Sequence, residues 1–211
     1  MKILKILTAS IAALFIVSGV PSSASGPVVG QPAPDFTLQD MTGETVSLAD
    51  YRGKPVILEW TNHQCPYVRK HYATGNMQTL QRDLTEDGAV WLTIISSAPG
   101  KQGHVTSEEA QELTTSRGAY STKVLFDPTG VTGRAYEAKT TPQMFLIDIN
   151  GLVQYMGAID DQPSTRVSTL EGAKNYVMEA WTSMKAGEAI SETSTKPYGC
   201  SIKYPETEGF K

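Results

Sequence analysis

The stretch Val56-Ile57-Leu58-Glu59-Trp60-Thr61-Asn62-His63-Gln64-Cys65-Pro66-Tyr67-Val68 decides the fold. Its first five residues form an apolar run of strand length, preceded by the turn Arg52-Gly53-Lys54-Pro55 and interrupted by a single carboxylate. That is the pattern of a strand covered on both faces. A helix follows Cys65. Pro66 suits the first helical position, because its missing N–H is not needed there and its φ is already near the helical value. Cys65 therefore sits where a strand hands over to a helix, facing unpaired backbone amides and the positive end of the helix dipole, both of which favour thiolate. Arg69, Lys70, His71 and His63 are further candidates for positive charge around it. The alternative is an inert cysteine packed as a small hydrophobe.

Outward from this junction, strands and helices alternate. Residues 35–39 and 44–48 flank Met41-Thr42-Gly43 and read as an N-terminal β-hairpin. After Cys65 the spacing predicts one helix over residues 67–85, ended by Glu86-Asp87-Gly88, then a buried strand over 89–96. Thr106-Ser107-Glu108-Glu109 is a capping signature opening a polar helix to about Arg117. A strand at 124–126, the turn Asp127-Pro128-Thr129-Gly130 and a short helix at 131–136 lead to Thr141-Pro142. Residues 143–148 and 152–159, separated by Asn150-Gly151, form the clearest hairpin, and a last helix is expected over 167–186. The result is an α/β domain with one mixed central sheet and helices on both faces.

Composition sets the class. The chain has 211 residues, 40% hydrophobic and 19% charged, so fibrous and disordered classes drop out and a single core is expected. Residues 1–25 read as a cleaved signal peptide: Lys2 and Lys5 precede an apolar run that ends in small residues. The run is interrupted by Thr8, Ser10 and Ser18 and is shorter than the roughly 20 apolar residues that span a bilayer, so the mature chain is not expected to cross a membrane. Cleavage leaves 16 basic against 22 acidic residues, which argues against nucleic acid as a partner. The mature chain divides into a domain at 26–186 and a polar tail at 187–211 that carries Cys200. Export points to a periplasmic or secreted protein.

In that compartment disulfides persist, and Cys65 and Cys200 are the only two cysteines. One reading is a structural staple, which would stabilise the fold by roughly 5 kcal/mol in the chain-entropy model. The other is a redox pair, in which a sulfenic acid at Cys65 condenses with Cys200. Gly199 and the polar run before it suit a mobile arm. A metal site built from His63, His71 and Cys65 is a third class, but the ligand spacing is weak, and neither a metal nor a cofactor is called for.

These residues carry a resemblance. Residues 56–67, together with Thr141-Pro142 before 143–148, resemble the thioredoxin fold. The opening Gly30-Gln31-Pro32-Ala33-Pro34-Asp35-Phe36 is similar to the redoxin branch, the alkyl-hydroperoxide reductase and thiol-specific antioxidant superfamily. The Cys65 site and the tail Thr195-Lys196-Pro197-Tyr198-Gly199-Cys200-Ser201-Ile202-Lys203-Tyr204 narrow it to the peroxiredoxin-like thioredoxin family proteins. The resemblance implies a thioredoxin-like fold and an antioxidant thiol oxidoreductase. Its substrate would be a peroxide or a disulfide, and a thiol reductant protein would reset it.

Residue by residue, Cys65 would be the nucleophile and Cys200 the resolving thiol. Glu59, six residues before Cys65, stands where thioredoxin keeps a buried proton relay; the competing reading turns it to solvent or to a lysine. Thr141 and Pro142 would form the cis-proline loop that presents backbone to an extended substrate. Asn62 and His63 would either contact substrate or shape the turn, with Pro66 beside them. Val68 stands where a Cys-x-x-Cys motif has its second cysteine, and Asn62 where peroxiredoxins have threonine. Local dithiol exchange is thereby excluded, and a single-thiol disulfide oxidoreductase or a non-enzymatic binding module stand as alternatives.

Overall fold

The computed structural model describes residues 26–206. The leader reading falls on 1–25, outside the described residues, and among the described residues no helix is long and apolar enough to cross a membrane.

In chain order the elements are β1 (Thr37–Asp40), β2 (Thr45–Ser47), β3 (Val56–Trp60), α1 (Pro66–Ala73), α2 (Asn76–Glu86), β4 (Val90–Ile95) and α3 (Ser107–Arg117). There follow β5 (Lys123–Phe126), α4 (Val131–Ala135), β6 (Thr140–Thr141), β7 (Gln143–Ile147), β8 (Val153–Gly157), α5 (Tyr176–Ala186) and β9 (Cys200–Ser201). Seven strands form one mixed sheet in the order β2-β1-β5-β4-β3-β7-β8, with β3, β4 and β5 parallel and the remaining pairs antiparallel. This is the thioredoxin-like architecture that the resemblance implied.

The apolar run at 56–60 is the middle of the sheet, which is why all five of its residues are buried. Alternation divides them. Val56, Leu58 and Trp60 join one core, in which Trp60, Tyr136 and Phe145 pack edge-on or tilted with ring centroids 5.1–5.2 Å apart. Ile57 faces the other core, shared with Val68 and Tyr72 of α1, Leu80 and Leu84 of α2, and Val177 and Trp181 of α5. The Thr106 capping box is present, with Thr106 Oγ1 accepting from the Glu109 amide and Glu109 accepting from the Thr106 amide.

Two helices differ from expectation. The single helix over 67–85 is two, because Gly75 adopts φ +76° and turns the chain between α1 and α2. The last helix starts at Tyr176 rather than 167: residues 167–170 make only a 3-10 turn, and Asn175 caps α5 by accepting from the Met178 amide. The polar tail contributes β9, which pairs antiparallel with β6.

Candidate functional site

Cys65 caps the N-terminus of α1 with Pro66 in the first turn, as the sequence required. Its amide donates to the Asn62 carbonyl at 3.0 Å, closing the turn that links β3 to α1. The Asn62 side chain is spent on that same turn: Oδ1 accepts from the Gln64 amide at 2.9 Å and Nδ2 donates to the Gln102 carbonyl at 3.3 Å. Asn62 therefore shapes the loop.

The structure brings Cys65 and Cys200 together. Register sets Cys200 of β9 opposite Thr141 of β6, next to a cis Thr141–Pro142 bond, and the two sulfurs lie 2.6 Å apart. Both cysteines are free. Cys65 is fully buried beneath the tail, whereas Cys200 is partly exposed. Burial pushes the Cys65 thiol up, but hydrogen bonds from the Cys200 thiol and the Val68 amide outweigh it, and the net effect is a lowered pKa. The Thr141 carbonyl, 3.1 Å from Cys65 Sγ, is a partner only for the protonated form. Cys200 is pushed up to about 12, first by burial and then by the neighbouring sulfur.

One proton is thus shared unequally, and the pair titrates as a unit. In the reduced protein, ultraviolet thiolate absorbance is expected to rise in two steps, one below and one above the ordinary thiol range. Cys200→Ser, whose hydroxyl is a poorer fit to the sulfur, should move the first step upward. Two coincident steps near the free-cysteine value would refute the unequal sharing.

Lys70 and His71 face Asp160 rather than the sulfur. Lys70 is buried, donates to the Gln162 carbonyl at 3.0 Å and lies 3.8 Å from Asp160. His71 is fully buried beside Asn76 and Asp160, and burial together with Lys70 lowers its pKa to about 3, so it is neutral. The metal reading finds no support in the geometry: among the described residues no group of three His, Cys, Asp or Glu side chains could hold an ion.

Glu59 is neither solvated nor paired with a lysine. It is fully buried on the α1 and α2 side of the sheet and accepts from Tyr72 Oη, Gln81 Nε2, Trp91 Nε1 and Thr93 Oγ1 at 3.0–3.2 Å. Burial nevertheless raises its pKa. None of these bonds reaches Cys65. His63 and Thr61 line a small cavity of about 40 Å³ with Tyr72, Thr93 and Arg117, and the Arg117 guanidinium donates to the His63 carbonyl at 3.1 Å.

The tail is anchored, which the sequence did not reveal. Gly199, read as a sign of mobility, has φ +138°, and a Cβ there would collide with the Thr141 carbonyl; glycine is what lets the two strands approach. Tyr198 and Asp160 were given no role, yet the Tyr198 hydroxyl donates to Asp160, and its ring lies 5.4 Å from Nζ of Lys70, which the sequence offered as positive charge for the sulfur. The available signal was an aromatic residue two before the cysteine, the spacing at which an extended chain buries the same face.

Comparison with known proteins identifies the family and the fold. The model of the AhpC/TSA family matches residues 29–156. The thioredoxin-like protein YneN of Bacillus subtilis is 29% identical over 59% of this chain and 68% of its own length. A Mycobacterium tuberculosis protein named "Putative peroxiredoxin Rv2521" is 30% identical over 47% of this chain and 69% of its own. An uncharacterized conserved protein from Geobacillus kaustophilus superposes with a TM-score of 0.73 at 24% identity, covering 85% of this chain and 94% of that one, a likeness of fold.

Proposed function

The chain belongs to the AhpC/TSA family of redoxins, and from that premise we propose that it is an exported thiol peroxidase that reduces peroxide through Cys65 and resolves through Cys200. The observation that carries this reading is the 2.6 Å approach of a fully buried, low-pKa sulfur to a partly exposed one. With the tail seated Cys65 is fully buried, so in this scheme the tail lifts to admit peroxide to Cys65. Its thiolate attacks one peroxide oxygen, the O–O bond breaks, and the leaving oxygen takes a proton to become water or alcohol. The Cys200 sulfur then displaces hydroxide from the Cys65 sulfenic acid, giving a disulfide and water.

A dithiol reductant resets the pair by attacking Cys200, the sulfur that solvent can reach. That attack expels Cys65, the better leaving group because its pKa is the lower of the two. Thr141 pairs with the tail at the cis bond to Pro142 in this scheme, Asn62 and Pro66 set the loop and helix that aim the sulfur, and His63 borders a small cavity with Tyr72 and Arg117. The hydrogen bonds of Glu59 go to Tyr72, Gln81, Trp91 and Thr93 and not to either sulfur, so we assign it to holding β3, α1, α2 and β4 in register. Export is the setting in which a reversible disulfide of this kind can accumulate.

The test is resolution. In Cys200→Ser, one equivalent of hydrogen peroxide should leave a Cys65 sulfenic acid that a dimedone probe captures, and excess peroxide should drive it on to sulfinic acid. The unaltered protein should give a disulfide and little dimedone adduct. Equal dimedone capture in both proteins would remove Cys200 from the mechanism.

A second reading is favoured by one observation: Cys200 is held by backbone pairing at the edge beside Pro142, as an extended substrate would be. Protein disulfide exchange would then be open whenever the tail leaves.

A further inference from the structure

The cavity of about 40 Å³ lies between α3 and the face of the sheet that carries Glu59, and neither cysteine lines it. Two chemistries meet there. Ile95, Leu113 and Val124 supply an apolar side that belongs to the small core under α3. Thr61, His63 and Arg117 supply a polar one. Strand alternation places Thr61 on the face of Ile57 and Glu59, two residues beyond the carboxylate. His63 and Arg117 are half-buried, so solvent reaches the cavity past them.

The polar side has donors that the protein does not use. Thr61 is 8% exposed, yet its hydroxyl has no hydrogen-bond partner. An unpaired buried hydroxyl opposes folding. The Arg117 guanidinium lies 5.0 Å from the Tyr72 ring and spends one N–H on the His63 carbonyl at 3.1 Å, which leaves further donors on the same fork. Among the described residues no carboxylate lies within salt-bridge distance of it. Glu109 is taken up by the Thr106 amide. Glu59 stands behind Tyr72 and Thr93, where its donors hold it and burial favours its protonated form.

We propose that this cavity binds a small monocarboxylate, its carboxylate received by the Thr61 hydroxyl and the Arg117 fork and its short aliphatic part set against Leu113 and Val124. A half-buried guanidinium without an acid partner matches a planar carboxylate in charge and in geometry. The volume admits roughly three water-sized groups, the size of acetate or propionate. The apolar side excludes phosphate, which would bring a strongly hydrated charge against Ile95, Leu113 and Val124. No bond is made or broken here, and neither sulfur takes part. The inference therefore stands or falls separately from the peroxidase reading.

The probe is sodium propionate, titrated into the reduced, isotopically labelled full chain and followed by nuclear magnetic resonance, with sodium chloride at matched ionic strength as the blank. Propionate should shift the Thr61 and Leu113 amide signals and the Arg117 side-chain signal saturably, and chloride and inorganic phosphate should not. Thr61→Val removes the hydroxyl at nearly constant volume. It should weaken propionate at least about tenfold while the thermal midpoint holds or rises, because the unpaired hydroxyl is gone. Arg117→Lys keeps the charge and loses the fork, and should weaken propionate by a similar factor. Shifts that do not saturate overturn the proposal, as does saturation that both variants leave unchanged. Phosphate binding as tight as propionate overturns the ligand class. A fall in the midpoint of Thr61→Val would mean that the hydroxyl is already satisfied within the fold, and overturns it as well.

Discussion

Cys65→Ser is expected to lower peroxide turnover by at least about a thousandfold, because the hydroxyl that replaces the thiol is not appreciably ionised at neutral pH and attacks no peroxide oxygen. The fold should survive the change. Serine is smaller than cysteine and its hydroxyl can donate to the Thr141 carbonyl that now lies 3.1 Å from the sulfur, so the buried position keeps a polar partner. Near-ultraviolet circular dichroism should be unchanged while coupled peroxidase turnover vanishes. Turnover within tenfold of the unaltered protein would take the chemistry away from this residue.

Glu59→Ala carries the largest expected effect on stability. Four donors converge on the carboxylate from three elements, and its removal leaves Tyr72, Gln81, Trp91 and Thr93 facing a dry cavity. Breaking a buried charged network in this way costs about 3 to 5 kcal/mol, enough to lower the thermal midpoint by many degrees. The sign of the pH dependence follows from the raised pKa. The folded state holds this proton more tightly than the unfolded chain, so Glu59's contribution to stability is fullest below the unfolded carboxylate value and declines as pH rises through the folded one. Urea unfolding across that range should show the decline, and in Glu59→Ala the decline should disappear. A loss below about 1 kcal/mol would mean that the four donors find other partners.

Much of this protein was legible from one stretch of sequence. The run at 56–60 is a central strand because its five residues are apolar with a single carboxylate, and only the middle of a doubly covered sheet accommodates that run. Pro66 fixed the start of α1, and with it the place of Cys65. Where the reading failed, a local signal was outweighed by backbone freedom or by tertiary contact. Gly75 broke a helix whose flanking residues favour continuation, and residues 167–175 were lost to turn structure around Gly172 and the Asn175 cap.

The site divides in the same way. That Cys65 stands at the head of α1 followed from a strand-to-helix junction, a local property. That Cys200 reaches it depends on a two-residue pairing between segments far apart in the chain, which no local pattern encodes. Lys70 and His71 looked like partners for the sulfur because they are close in sequence. On α1 they point instead to Asp160, and direction around a helix becomes meaningful only when its neighbours are known. Gly199 shows the same ambiguity, since glycine marks both mobility and close approach, and here it is close approach.

The central claim is that Cys65 is oxidised by peroxide and Cys200 resolves it. Its most direct test is to reduce the protein fully, add one equivalent of hydrogen peroxide, and follow both thiols by rapid alkylation with intact-mass and peptide analysis. The expected result is loss of both thiols together, far faster than for free cysteine, with a single peptide pair linking Cys65 to Cys200. Oxidation no faster than free cysteine, or a Cys65 carried to sulfinic acid with Cys200 still alkylatable, would contradict it.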